Sequence, residues 1–156
     1  MRYDDLHTRY NTKERQVSTR STSFRISERA KKQLAERAER EGVSATALLE
    51  RLIVEGVDAL DHPGIVHRGS PNNRRAALAA GPDVWEVVSR LRELDGPEEE
   101  RISTLTEETD LHPRLIRIAI DYAAEHPREV RDRIKRNQRA AEASRRAAQQ
   151  RDALLR

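Results

Sequence analysis

Large aliphatic and aromatic side chains are scarce in this sequence, and their scarcity limits what the chain can fold into. Leu, Ile, Val and Phe together account for 32 of the 156 residues, a proportion close to that of intrinsically disordered chains. Charged residues make up 37% of the sequence. One large self-sufficient core is therefore not expected, and small cores completed by a partner subunit fit this composition better.

Several classes of protein are excluded by what the sequence lacks. The chain has no cysteine, which excludes disulfide scaffolds, thiolate zinc sites and thiol nucleophiles. No apolar run approaches the roughly 20 residues of a membrane span, and the N-terminus lacks the apolar core of a signal peptide. We therefore expect a soluble, cytoplasmic protein with no membrane partner.

Catalytic and metal-binding patterns are also missing from the sequence. It contains no nucleophile–base pairing, no Gly-rich phosphate loop and no H-E-x-x-H motif. His62 and His67 are separated by a Pro-Gly break, which does not favour a metal site. We expect neither an enzyme nor a bound cofactor or metal.

Positive charge is concentrated at the C-terminal end of the chain. Residues 128–156 hold ten basic and four acidic side chains, whereas the net charge of the whole sequence is only +3. A basic tail of this kind indicates a polyanion or an acidic protein surface as partner. A merely solvated tail is the alternative.

The segment 19–60 is predicted to form one short strand followed by two helices. Residues 19–27 favour a strand, Ser27 is a good N-cap for the next helix, and Gly42 is its natural end. Ser44 can cap the second helix. A lone strand leaves its backbone groups unpaired, so we expect a second copy to supply the partner strand of an antiparallel ribbon.

The residues that carry this pattern are, in order, Ser23-Phe24-Arg25-Ile26-Ser27-Glu28, Leu34, Glu41-Gly42-Val43-Ser44, Leu48-Leu49 and Leu52-Ile53. The order and spacing resemble the ribbon-helix-helix family of repressors and antitoxins, the Arc, MetJ and CopG type, over about 40 residues. The resemblance implies an obligate homodimer that lays its ribbon in the major groove of a double-stranded DNA operator.

Roles for individual residues follow from the alternation of side chains along the strand. The outward-facing side chains are predicted base contacts, namely Ser21, Ser23 and Arg25. The predicted phosphate contacts, partly at the N-terminus of the second helix, are Arg20, Ser44 and Ala45. The predicted dimer core consists of Phe24, Ile26, Leu34, Leu48 and Leu52.

Residues 61–137 have their own apolar set and are predicted to form a small helical domain. The quoted features are His62-Pro63-Gly64-Ile65, Arg74-Arg75-Ala76, Asp83-Val84-Trp85-Glu86-Val87-Val88, Leu111-His112-Pro113 and Ala119-Ile120-Asp121-Tyr122. They resemble the small helix-turn-helix-like domain found in antitoxins that are paired with PIN-domain toxins. The resemblance implies a region for dimerisation, toxin presentation or a second DNA contact, and these alternatives stay open.

The last segment, 138–156, is expected to be a frayed helix or disordered, because it offers little apolar area. Antitoxins often fold such a segment onto their toxin, where arginines can cover an acidic nuclease site. A tail that clings non-specifically to DNA is the alternative. The candidate toxin-binding residues are Arg139, Arg145, Arg146 and Arg151.

Taken together, these patterns predict a mainly α protein with an N-terminal β-α-α ribbon-helix-helix module. Its expected parts are a flexible basic arm (1–18), the dimeric DNA-binding module (19–60), a small helical domain (61–137) and a basic helical or disordered tail (138–156). The predicted function is an antitoxin that represses its own operon and neutralises a toxin, with a PIN-type ribonuclease as the expected toxin. The alternatives are a plain transcriptional or plasmid-copy repressor without a toxin, and a scaffold that only binds other proteins.

Overall fold

The computed structural model describes residues 23–155, which form six helices and one small sheet. Helix α1 spans Glu28–Glu41 and helix α2 spans Ala45–Asp61. Two short strands follow, and four helices complete the described chain. The protein is therefore mainly helical, as its sequence predicts.

Helices α1 and α2 form a hairpin whose ends are set by local residues. The Ser27 hydroxyl accepts a hydrogen bond from the N–H of Ala30, and the Ser44 hydroxyl accepts one from the N–H of Ala47. Gly42 ends α1 in the left-handed region, with φ of 66°, where a residue without Cβ is favoured. These are the caps expected from the sequence.

The sheet is an antiparallel hairpin of strands β1 (Ile65–Arg68) and β2 (Arg75–Leu78), in which Ile65 pairs with Leu78. A 3-10 turn, Pro71–Asn73, lies between the strands. Ile65, Ala76 and Leu78 share one face of the hairpin and are buried, and Ala77 on the opposite face of β2 is buried as well. The sheet therefore contributes one wall of a core rather than an exposed ribbon.

The core is closed by four helices: α3 (Val84–Glu93), α4 (Glu98–Thr109), α5 (Pro113–Glu125) and α6 (Pro127–Leu154). Proline occupies the first position of both α5 and α6, where its missing N–H has no consequence. The buried cluster between these helices and the sheet includes Ile65, Leu78, Val84, Val87, Leu91, Ile102, Leu105, Ile116, Ala119, Tyr122, Val130 and Ile134.

The predicted ribbon-helix-helix arrangement is wrong for this structure. The described chain enters α1 through residues 23–27, which are extended but belong to no strand, and the sheet lies after α2 instead of before α1. A strand exists only through hydrogen bonds to a neighbouring strand, and within residues 23–155 of one chain no strand pairs with this segment. The other predicted strand positions, 19–22, lie outside the described residues.

The C-terminal segment, predicted to be a basic helical or disordered tail, is helical as far as Leu154. Helix α6 continues without interruption across position 138 and ends at Leu154. Its alanine, arginine and glutamine residues all have high helix propensity, which accounts for a continuous helix in a segment with so little apolar surface. The predicted basic arm, residues 1–18, lies outside the described chain.

Candidate functional site

Helix α2 carries a broad apolar surface that the described chain leaves uncovered. We call it the apolar face of α2 and define it by Leu52, Ile53, Val57 and Leu60. These side chains are 50%, 51%, 49% and 80% exposed. Gly56 lies among them, and a Cβ built on it would meet nothing within 4 Å. An apolar surface of this extent on one helix is typical of a contact with another molecule.

The α1–α2 hairpin has little core of its own. Within the described part of the two helices, Ala38 and Leu48 are the buried residues. Two helices that bury so little would be marginal alone. The hairpin is therefore held by its contacts with the rest of the chain and by whatever covers the apolar face of α2.

The five predicted dimer-core residues are placed unevenly. Leu48 is buried inside the chain at 1% exposure, and Leu34 is half-buried. Phe24 is 75% exposed, and Ile26 and Leu52 are also exposed. Three of the five thus remain available to a partner, whereas Leu48 already packs within its own subunit.

Most of the predicted DNA contacts within the described residues are also exposed. Ser23 and Arg25 lie in the extended entry to α1. Ser44 caps α2 and Ala45 is its first residue, both on the surface. Arg20 and Ser21 lie outside the described residues, so their roles stay predictions from the sequence.

A polar junction joins α2 to the β-hairpin. Arg74, just before β2, donates from Nε and Nη2 to the two carboxylate oxygens of Glu55, at 2.7 and 2.5 Å. It also donates to the carbonyl oxygens of His67 and Gly69, at 2.8 and 2.9 Å. The hydrogen bond to Glu55 raises the pKa of Arg74 above its ordinary value. The pair is partly buried and fixes the hairpin against α2.

The same junction continues towards α5 and α6 through Tyr122, whose side chain is fully buried. Its hydroxyl donates to Oε2 of Glu129 at 3.1 Å and lies 3.4 Å from Nε2 of His67. His67 in turn lies 3.5 Å from Oδ2 of Asp58 in α2, and the ring of His126 stacks on Tyr122 at 4.1 Å. Burial, followed by the negative charge of Glu129, raises the pKa of the Tyr122 hydroxyl.

Most of these groups line a cleft of about 490 Å³ between α2, the hairpin and the start of α6. The sequence interpretation missed this junction because its members come from four separate elements. In the sequence, His67 stands out only as a poor candidate for a metal ligand. One sequence signal did indicate that His67 faces the interior: side chains alternate along β1, so His67 lies on the same side of the strand as the buried Ile65.

Helix α6 has two different halves. Its first turns pack on the core through Val130 and Ile134, and no residue from 135 to 155 is buried. Residues 135–154 contain six basic and two acidic side chains. The predicted toxin-binding arginines, all exposed, lie in this second half: Arg139, Arg145, Arg146 and Arg151.

Helices α4 and α5 have the size of a helix-turn-helix, and Asp110 makes the turn between them in the left-handed region with φ of 56°. Ion pairs on the outer surface of this unit connect α4 to α5 and to α3. Arg117 donates to Glu99 at 2.6 Å, and Arg90 of α3 donates to Glu108 at 2.9 and 2.7 Å. Because these arginines are already paired with carboxylates, this surface is poorly suited to bind the phosphates of DNA.

None of the helices within residues 23–155 combines the length and apolar character needed to cross a membrane. In the same residues, no three His, Asp or Glu side chains are grouped as a metal ion would require. Comparison with protein-family models, curated proteins and solved structures gave no match.

Proposed function

We propose that this chain is a DNA-binding regulator that acts as a homodimer. The observation that carries the proposal is the apolar face of α2, which residues 23–155 leave uncovered on a hairpin with almost no core. A second copy is the simplest occupant, because each copy brings the same apolar face and a two-fold contact buries both at once. Gly56 in the middle of that face lets two α2 helices approach closely.

DNA is the proposed partner because the exposed polar groups suit phosphates and base edges. The N-terminus of α2 presents backbone N–H groups at Ala45, a place where phosphate binds readily. Arg25 lies on the exposed chain that leads into α1, and arginine is the most frequent side chain that reads guanine. Dimerisation doubles both features, as is usual for regulators that bind symmetric sites.

Oligomeric state tests the first half of this proposal. Val57→Asp places a charge in the apolar face of α2, and we expect it to convert a dimer into a folded monomer in sedimentation analysis. Val66→Glu is the matched control, since Val66 is an exposed apolar residue of β1 at 39%. A wild-type monomer at micromolar concentration, or a dimer that survives Val57→Asp, would contradict the proposal.

Salt dependence of DNA binding tests the second half. A protein that neutralises several phosphates loses affinity steeply as salt rises, with a slope of roughly 0.9 per phosphate. We expect the dimer to bind a mixed-sequence 30-base-pair duplex with such a slope, and Arg25→Gln to weaken binding. Absence of binding at 50 mM salt would exclude the regulator and leave a scaffold that binds only proteins.

A second candidate is an antitoxin, which is favoured by the uncovered basic half of α6. The four arginines predicted to bind a toxin would cover the acidic active site of a protein toxin, such as a PIN-type ribonuclease. Copurification with the product of the neighbouring reading frame tests this function. Removal of residues 138–156 should then release the toxin and leave operator binding unchanged, whereas a truncated chain that still neutralises the toxin would refute it.

A further inference from the structure

The second half of α6 extends away from its last core contact as a single uncovered helix. Ile134 is its last buried residue and Leu154 its last helical one, so about 30 Å of helix lies beyond the core at 1.5 Å per residue. An isolated helix of this length is only marginally stable in water. A partner that covers it would add the stability that the chain itself does not provide.

The cations of this half lie around the helix instead of along one stripe. At 100° per residue, Arg145 lies on one side, Arg136 on another, and Arg139 and Arg146 together on a third. A flat acidic protein surface would contact one of these sides only. The major groove of DNA has phosphates on both walls and is about 12 Å wide, which matches the diameter of an α-helix.

A protein partner is disfavoured by what this half lacks. Residues 135–153 contain no Leu, Ile, Val, Met, Phe, Tyr or Trp. Protein–protein contacts depend on a few large apolar or aromatic anchors at their centre. Contacts with DNA instead depend on arginine, lysine and small polar groups directed at phosphates and base edges.

One side of the helix is built of small residues between flanking arginines. Ala141, Ser144 and Ala148 follow one another at helical spacing. One flank of this side holds Arg145 and the single carboxylate of Asp152, and the other holds Arg136 and Arg151. Small side chains let the backbone come close to base edges, and the Ser144 hydroxyl can bond to several bases. The longer arginines would then reach the phosphates on either wall.

From these observations we infer that the second half of α6 binds in the major groove of double-stranded DNA. The small side of the helix, centred on Ser144, faces the bases, and Arg145 and Arg136 contact phosphates of opposite walls. This inference rests on the proposed DNA-binding function and adds a second DNA-contacting element to it. In a homodimer, two such helices would bind neighbouring parts of the duplex.

The test measures binding of the full-length chain to a mixed-sequence 30-base-pair duplex at several salt concentrations. Arg136→Gln with Arg145→Gln keeps helix propensity and removes the two charges that the inference places on the phosphates. We expect binding about tenfold weaker and a salt slope smaller by up to roughly two for each bound helix. The matched control is Arg92→Gln with Arg114→Gln, which removes two exposed charges from α3 and α5 and should leave the slope unchanged.

A steric pair of variants tests which side of the helix meets the bases. Ala148→Leu adds bulk to the small side without a change in charge, and we expect it to weaken DNA binding at least fivefold. Ala153→Leu adds the same bulk to the far side and should have little effect. Circular dichroism verifies that both variants keep the helix, so a loss of binding reports the contact and not the fold.

The outcomes separate this inference from the proposed function. A wild-type chain that binds no duplex refutes both. A wild-type chain that binds, together with an Arg136/Arg145 variant of equal affinity and slope, overturns only the inference. The inference alone also fails if that variant releases a copurified protein and binds DNA normally, because α6 would then serve an acidic protein partner.

Discussion

The guanidinium of Arg74 meets the carboxylate of Glu55 in a two-pronged contact, with Nε and Nη2 at 2.7 and 2.5 Å from its two oxygens. The two residues belong to different parts of the chain, Glu55 to α2 and Arg74 to the loop before β2. Their side chains are only 16% and 27% exposed. This ion pair therefore connects the α1–α2 hairpin to the helical core.

Glu55→Gln should loosen that connection. The amide keeps the size of the carboxylate but can accept only one of the two hydrogen bonds, so Arg74 loses a charged partner in a partly buried place. We expect the free energy of unfolding to fall by about 1.5 kcal/mol. Hydrogen exchange should show faster opening of amides in α2 than in α3 or α5.

Glu108→Gln is the control for this prediction. Glu108 also makes a two-pronged contact, with Arg90, but their side chains are 37% and 41% exposed. Surface ion pairs contribute little because water and salt screen them. If both variants lose the same stability, the Arg74–Glu55 contact has no special structural role.

Tyr122→Phe removes the hydroxyl that links α5 to Glu129 and His67. The aromatic ring and its stacking on His126 remain, so only the hydrogen bonds are lost. We expect a decrease of about 1 kcal/mol in the free energy of unfolding, measured by urea titration. The control Thr104→Val removes an exposed hydroxyl that donates to the Glu100 carbonyl, and it should lower the free energy of unfolding by less. A larger decrease for Thr104→Val would contradict the stabilising role given to the Tyr122 hydroxyl.

The raised pKa of Tyr122 predicts how stability depends on alkaline pH. The folded protein keeps this proton above pH 10, where a tyrosine in the unfolded chain loses it. The folded state then binds more protons than the unfolded state, so the free energy of unfolding falls as pH rises above about 10. Below that pH the contribution of Tyr122 is fully present. The measurement is the free energy of unfolding of wild type and Tyr122→Phe between pH 8 and 11. If it changes with pH equally in both proteins, the Tyr122 hydroxyl does not titrate in this way.

Gly69→Ala should disrupt the β-hairpin. Gly69 has φ of 101°, and an added Cβ would overlap the carbonyl oxygen of Asn73. Backbone strain and this overlap together predict a loss of about 3 kcal/mol, measured by thermal or urea unfolding. Gly42→Ala is the comparison: its φ of 66° is also left-handed but nothing lies within 4 Å, so the loss should be nearer 1–2 kcal/mol.

Local signals in the sequence predicted the helices well. Ser27, Gly42 and Ser44 set the ends of α1 and the start of α2, and Pro113 and Pro127 open α5 and α6. The run Ile65-Val66-His67-Arg68 favours a short strand by its residue types, and β1 spans those four residues. Each of these features depends on residues within one or two turns of the chain, so the sequence alone is sufficient.

The predicted strand before α1 was wrong because the sequence pattern does not identify the segment that a strand pairs with. Alternation and residue type can favour an extended backbone, and residues 23–27 are indeed extended. They cannot show which segment supplies the hydrogen-bonding partner. For β1 that partner is β2, whose residues Arg-Ala-Ala-Leu do not by themselves favour a strand.

The sequence by itself determined where helices begin and end, how charge is distributed and which residues are apolar, because these depend on neighbours in the chain. Only the tertiary structure decided that Tyr122 meets His67 across 55 positions, that Arg74 meets Glu55, and that Leu48 is buried while Leu52 is exposed. Such contacts depend on the path of the whole backbone, and no local pattern of residue types encodes that path directly.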